Sequence, residues 1–370
     1  MSEGFTQAKV LAVKMTTLYK LSKEQLSKQF HYDFGLRALK SVLVMAGQLK
    51  RNYSELPEDL VLMRALRDMN MPKFVFEDVP LFQGLINDLF PGIKADRVGY
   101  EDLNAVIIEY LEQNGNHHSD EDKFLNQVDK VVQLYETMLT RHTSMVVGPT
   151  GAGKSVIIDT LAKSLKGFLG STTVTHVINP KMVTLNELYG VLDPDSRDWT
   201  DGLLSRIFKD INVDLVEGKP EQRWIIYDGD VDAVWVENMN SVMDDNRILT
   251  LANGDRIRLL KHCAMLFEVF DLQYASPATI SRCGMVFVDA KNLGYEPFWE
   301  RWVNKKQKDY NNNETMGESF RELYSKYIPQ CIDRIFEGQT GGEELEQPLK
   351  MITPRTNLNL VQQLATLIDA

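Results

Sequence analysis

Apolar residues recur at helical spacing through the first fifty positions, at Val10, Leu11, Met15 and Leu18, then at Leu36, Leu39, Val42, Leu43 and Leu49. Ser22 followed three residues later by Gln25 reads as a capping box. Asp33 reads as the N-cap of the second amphipathic stretch, and the segment contains no strand pattern. A boundary is expected at residues 53–58, which include Ser54 and Pro57. Residues 60–99 mix short helices with loops. Residues 114–122 form a polar loop holding His117 and His118, whose adjacent imidazoles point apart. No thiol or carboxylate spacing completes a metal site there, so a solvated loop is expected.

Helical spacing returns at Val128, Val131, Val132, Tyr135, Met138 and Leu139, and a short apolar run at 144–147 predicts a strand. Further strands are predicted at 174–178, 224–227, 265–268 and 285–288. Helix-length segments between them argue for a mostly parallel sheet with helices on both faces, an α/β nucleotide-binding layout. Asn253-Gly254 between Leu249 and Leu259 predicts a tight hairpin. After Leu293 the pattern is helical again, with loops at 311–313 and 338–348 and no internal repeat.

Length, 370 residues, allows on the order of two or three domains, and 44% apolar with 25% charged residues is ordinary for a globular chain. No apolar run approaches the roughly 18 residues that a membrane span needs. A formal charge of −11 disfavours nucleic acid as the main partner. Cys263, Cys283 and Cys331 are odd in number and widely spaced, which reads as reduced thiols in an intracellular compartment. No signal-peptide pattern opens the chain, and it ends inside an apolar helical pattern, so a fragment of a longer protein is expected.

The chemistry concentrates at Gly148, Pro149, Thr150, Gly151, Ala152, Gly153, Lys154 and Ser155, which fit the phosphate-loop pattern G-x-x-x-x-G-K-[ST] between a predicted strand and a predicted helix. In such a loop backbone N–H groups surround the phosphates, Lys154 neutralises the β and γ charge, and Ser155 ligates Mg²⁺. The expected ligand is ATP, or its product ADP, with Mg²⁺. Trp224-Ile225-Ile226-Tyr227-Asp228 has the form of a Walker B strand, whose Asp228 would hold the metal through its water shell. The next position, where hydrolytic relatives of this motif carry a glutamate base, is Gly229. Asp232 is expected to cap a helix and Glu237 to lie inside it. Asp230 is left as the one deputy base, so binding without fast turnover is expected.

These motifs, with the run Asp228-Gly229-Asp230-Val231-Asp232 and the segment Ser276-Pro277-Ala278-Thr279-Ile280-Ser281-Arg282-Cys283-Gly284-Met285, closely resemble dynein heavy chains. The same holds for His31-Tyr32-Asp33-Phe34-Gly35-Leu36-Arg37, for Trp199-Thr200-Asp201-Gly202, and for Trp235-Val236-Glu237-Asn238-Met239-Asn240. The resemblance spans most of the chain and implies the second AAA+ module of the motor ring. Residues 1–56 would be the small helical domain of the preceding module, 57–293 a P-loop AAA+ large α/β domain, and 294–370 a truncated small helical domain. The form of the segment around Pro277 is similar to axonemal rather than cytoplasmic chains, which implies a cilium or flagellum. Arg37 would be the sensor-2 arginine of the preceding site, and Arg282 an arginine finger sent into that site. Glu268 would stand near the usual polar sensor-1 position. The 199–202 segment and the Asn253-Gly254 hairpin would face the linker. Implied partners are neighbouring modules and the linker, and, through the whole protein, intermediate and light chains and microtubules, with neither nucleic acid nor membrane.

On spacing alone Arg37 reads as a solvent-facing helix arginine near Asp33, and only the resemblance lifts it. For Arg282 the bland alternative is a pair with a surface carboxylate, ranked below the finger. The two inserts are equally consistent with a capped turn and a surface hairpin. Two functions compete: a module that stores ATP, and an ATPase using Asp230. A phosphate-loop small-molecule kinase ranks last, because no acceptor pocket or arginine-rich lid is visible.

Overall fold

The computed structural model describes residues 4–93, 100–115, 121–289, 293–311, 313–340, 353 and 355–370, with the side chains of 121–125 and 337–340 excepted. His117 and His118 lie outside the described residues. The chain divides into two compact units, Met1–Ile107 with Val128–Asp289, and Ile108–Gln127 with Ala290–Ala370.

In the first unit the strands are β1 (Thr143–Val147), β2 (Thr172–Ile178), β3 (Gly190–Leu192), β4 (Trp199–Asp201), β5 (Glu221–Asp228), β6 (Ile248–Thr250), β7 (Arg256–Arg258), β8 (Cys263–Val269) and β9 (Gly284–Phe287). Five of them form one sheet in the order β2-β5-β8-β1-β9, with every pairing parallel. This is the P-loop AAA+ arrangement, an α/β domain with helical segments before it. Interior strand β1 is buried at all five positions, because a parallel sheet covered on both faces shows no polar alternation. Edge strand β2 is mostly exposed. Met145, Ile225, Tyr227 and Phe267 lie in one core cluster with Trp235, and the Tyr227 and Phe267 rings stack at 4.6 Å. The two predicted inserts are two-stranded antiparallel ribbons, β3 with β4 and β6 with β7.

Ahead of the sheet, helices Ala8–Gln25, Leu36–Asn52, Glu58–Asn70 and Asp78–Leu89 share one apolar core that includes Leu18, Val42, Leu66 and Phe82. That core runs across residue 56 without interruption. Ser22 does not cap a helix. It is buried in the last turn of Ala8–Gln25, on the stripe that continues Leu11, Met15, Leu18 and Tyr19, and burying that stripe outweighs the local capping signal. Asp33 is likewise not the N-cap. Gly35 holds that position and donates its N–H to Asp33 Oδ1 at 2.8 Å.

The second unit contains helices Glu296–Asp309, Glu314–Thr340 and Asn357–Asp369 around Trp299, Trp302, Val303, Tyr324 and Val361. The second of these continues past Gly338, where a loop was expected to begin.

Candidate nucleotide site

The phosphate loop leaves the C-terminal end of β1 and closes into helix Lys154–Leu169. Close backbone approach requires Gly148. A Cβ there would stand 2.1 Å from the Val288 carbonyl oxygen, and the Gly148 N–H donates to Val269 O at 3.2 Å. Gly151 and Gly153 have φ of 83° and 91°, the left-handed region that glycine enters without a steric cost. Ala152 N–H donates to Pro149 O at 3.2 Å. The N–H groups of Gly151, Gly153, Lys154 and Ser155 donate to no acceptor among the described residues. Free donors at a helix N-terminus, in a cradle that a side chain would fill, fit a phosphate group.

Lys154 is 8% exposed and folds back over its own loop, with Nζ donating to Gly148 O at 2.8 Å and Pro149 O at 3.0 Å. Burial pulls its ammonium below the ordinary lysine range, against the opposing pull of Glu268, Asp228 and Asp230. Those two carbonyls hold the charge where an incoming anion would meet it.

Asp228 ends β5 with its side chain exposed, and β5 pairs it directly with Glu268 on β8. Glu268 Oε1 accepts the Ser155 hydroxyl at 2.6 Å, and the Gly229 N–H donates to the Glu268 carbonyl at 3.3 Å. Asp232 caps helix Ala233–Val236, accepting from Val234 N at 3.0 Å, as its place before an apolar run predicts. Asp230 faces Lys181, whose Nζ lies 3.5 Å from Asp230 Oδ2 and 3.9 Å from Asp232 Oδ2. An ion pair with Lys181 competes with any water for the Asp230 carboxylate, which counts against it as the deputy. Among the described residues no three His, Cys, Asp or Glu side chains gather as a protein-only metal site.

Arg282 and Arg37 stand elsewhere. Arg282 follows helix Pro277–Ile280 and precedes β9. Because β9 runs parallel to β1 with Ser144 opposite Gly284 and Val147 opposite Phe287, Arg282 lies at the N-terminal edge of the sheet and the phosphate loop at the C-terminal edge. A strand of this length separates them by about 15 Å, at roughly 3.3 Å per residue. Arg282 Nε donates to Asp244 Oδ1 at 2.8 Å and Nη1 to Ala278 O at 2.8 Å. Arg37 Nη2 lies 3.7 Å from the same Asp244 oxygen, and its Nη1 donates to Ser281 Oγ at 2.9 Å. Arg141 links the backbones of both, donating to Arg282 O and Arg37 O at 3.3 Å each. Arg37, Lys40, Arg141, Asp244, Asp245 and Arg247 line a cavity of about 400 Å³ at this edge. Sequence reading missed Asp244 and Arg141. Asp244 is a turn residue 38 positions from Arg282, and nothing local marks it.

The sequence also matches known families and proteins. Residues 1–155 match the family described as the hydrolytic ATP binding site of the dynein motor region, and residues 143–283 match the AAA domain of the dynein-related subfamily. Human dynein axonemal heavy chain 10 is 62% identical over 372 aligned residues, covering 100% of this chain and 8% of its own length. The Dynein-1-alpha heavy chain of the flagellar inner arm I1 complex of Chlamydomonas reinhardtii is 60% identical, again over 100% of this chain and 8% of its own. Human dynein axonemal heavy chain 6 is 46% identical over 90% of this chain. The chain thus spans about a twelfth of the relatives it matches. With a phosphate loop on a parallel AAA+ sheet, a helical segment ahead of it, and axonemal relatives across its full extent, the chain belongs to the dynein heavy chain family as a nucleotide-binding AAA+ segment of the motor region.

Proposed function

We propose that this segment holds Mg-ATP, or ADP, as a resident ligand with little turnover, and that it supplies arginines to the nucleotide site of the preceding module. The phosphate loop and the Arg37–Arg282 pair at opposite ends of β1 and β9 carry this reading. Arg282 stands too far along the sheet to serve the phosphates of its own loop. Only a second site, facing the N-terminal edge, would use it.

At the loop, free N–H groups and Lys154 would bind the β and γ phosphates, while Ser155 would ligate Mg²⁺ and Asp228 would hold one of its waters. Bound Mg²⁺ would supply charge neutralisation to the phosphates. Hydrolysis also needs a base within about 3 Å of the attacking water. Gly229 has no side chain, and Asp230 is turned to Lys181. Asp230 as an active base therefore remains the weaker alternative.

On this reading residues 1–56 are the small domain of the preceding module, 57–293 the large domain and 294–370 a second small domain. The ribbons β3–β4 and β6–β7 face the linker. The whole protein would act in a cilium or flagellum with neighbouring modules, intermediate and light chains, and microtubules. Its relatives' names are the support for that placement. The test is to denature the purified chain, identify the released nucleotide by chromatography, and measure steady-state phosphate release. Retained nucleotide with negligible release is expected. Rapid release would refute storage.

A further inference from the structure

We infer that Glu268 makes this phosphate loop selective for nucleotide complexed to a divalent cation, by competing for Ser155 and repelling bare polyphosphate. The inference rests on the phosphate-loop reading above and concerns how that same site chooses its ligand.

Three observations meet at Glu268. Its carboxylate accepts the Ser155 hydroxyl at 2.6 Å, so the oxygen expected to ligate the cation is engaged by a protein acid. Its strand neighbour in register is Asp228, which brings two carboxylates side by side at the C-terminal edge of β5 and β8. Its backbone carbonyl takes the Gly229 N–H at 3.3 Å, which ties the backbones of these strand ends together. Lys154 is the one cation hydrogen-bonded within the loop itself, and it is directed to Gly148 O and Pro149 O.

Before any ligand arrives the Lys154 ammonium therefore stands among the carboxylates of Glu268, Asp228 and Asp230, the last of them also paired with Lys181. Nucleotide without a cation adds up to four negative charges next to Glu268, and like charges at close range in a partly desolvated site repel strongly. It must also leave Ser155 in its bond to Glu268. A divalent cation changes both terms. With a cation bound, Ser155 would serve as its ligand in place of its bond to Glu268, and the charge of Asp228 and Glu268 would be offset together with that of the phosphates. A polar neutral residue at position 268 would impose neither condition, so the cation requirement should follow the charge of that one side chain.

The experiment is calorimetric titration of the 370-residue chain, stripped of nucleotide, with ADP and with ATP, in Mg²⁺ and in EDTA. Wild type is compared with Glu268→Gln, which keeps the shape and loses the charge, and with Glu268→Asp, which keeps the charge. The wild type should bind at least about a hundredfold tighter with Mg²⁺. Glu268→Gln should cut that ratio about tenfold or more, chiefly by tighter binding in EDTA. Glu268→Asp should retain most of it. Equal ratios in wild type and Glu268→Gln would overturn the inference while leaving the loop as a nucleotide site. No binding by the wild type under either condition would instead overturn the phosphate-loop reading. Thermal melting of each variant without ligand separates loss of fold from loss of selectivity: a Glu268→Gln chain that melts like wild type yet keeps the full ratio counts against the role of Glu268. If Glu268→Gln fails to fold, Glu268→Asn takes its place with the same expected and contrary results.

Discussion

Arg282 and Asp244 form an ion pair, Nε to Oδ1 at 2.8 Å, at the edge of the sheet opposite the phosphate loop, with Arg37 3.7 Å from the same oxygen. Asp244 therefore engages both arginines, and it lines the cavity of about 400 Å³ together with Arg37. The pair is partly buried, with the Arg282 side chain 15% and Asp244 34% exposed. In a complete heavy-chain motor, Arg282→Ala should depress hydrolysis at the preceding site, on the order of 10³ to 10⁵ if it acts as an arginine finger. This chain's own loop should keep its nucleotide. Single-turnover phosphate release and bound-nucleotide analysis of the same preparation check the two halves. ATPase activity near the wild-type level would show that Arg282 only pairs with Asp244.

Lys154→Ala should empty the loop. A charge-assisted contact to phosphate contributes about 1.5–3 kcal/mol, so affinity should fall roughly ten- to a hundredfold. Fluorescent-nucleotide titration measures this. Undiminished affinity would remove the site from residues 148–155.

Gly229→Glu restores the missing base in sequence but not in surroundings. A Cβ at Gly229 would lie 3.1 Å from Asn179 Oδ1, which must give way, and Glu268 still occupies Ser155. Phosphate release by the variant should rise far less than the roughly 10² to 10⁴ that a well-placed base contributes. A gain of that full size would mean that Gly229 alone blocks catalysis.

Stability of the helical segment should rise with pH. Lys73 is buried among Tyr19, Phe34 and Phe74, its Nζ 4.6 Å from the Phe34 centroid and donating to Asp33 O at 2.8 Å. Burial pulls its pKa down from 10.5 to about 7. Between those values the unfolded chain binds more protons than the folded one, so raising the pH across this window stabilises the fold, at up to about 1.4 kcal/mol per pH unit. His31, stacked on Phe287 and pushed by burial from 6.5 to about 4, acts in the same sense between those lower values. Lys73→Met should flatten the upper slope. Melting temperatures from pH 4 to 10 decide it, and an unchanged slope above pH 7 would contradict the burial argument.

What the sequence determined by itself is everything carried by local period and spacing. Alternating apolar strands and helical stretches gave the parallel α/β sheet, Gly148 to Ser155 declared their loop, and Asn253-Gly254 marked the β6–β7 turn. Each depends on contacts within a few residues, where backbone preference and hydrophobic period act directly. Asp232 was legible as a cap for the same reason. Ser22 was misread because a capping pattern is also local, while its burial depends on helices that arrive from 36 to 89. Only the tertiary structure could decide which side chains meet: Ser155 with Glu268 across 113 residues, and Arg37 with Asp244 and Ser281 across more than 200. It also set the arginines and the phosphate loop at opposite edges, because that separation follows from the parallel register of β1 and β9. Electrostatic and hydrogen-bonded partners are chosen by distance in space, and a chain that crosses its own sheet brings together residues whose separation in sequence carries no signal.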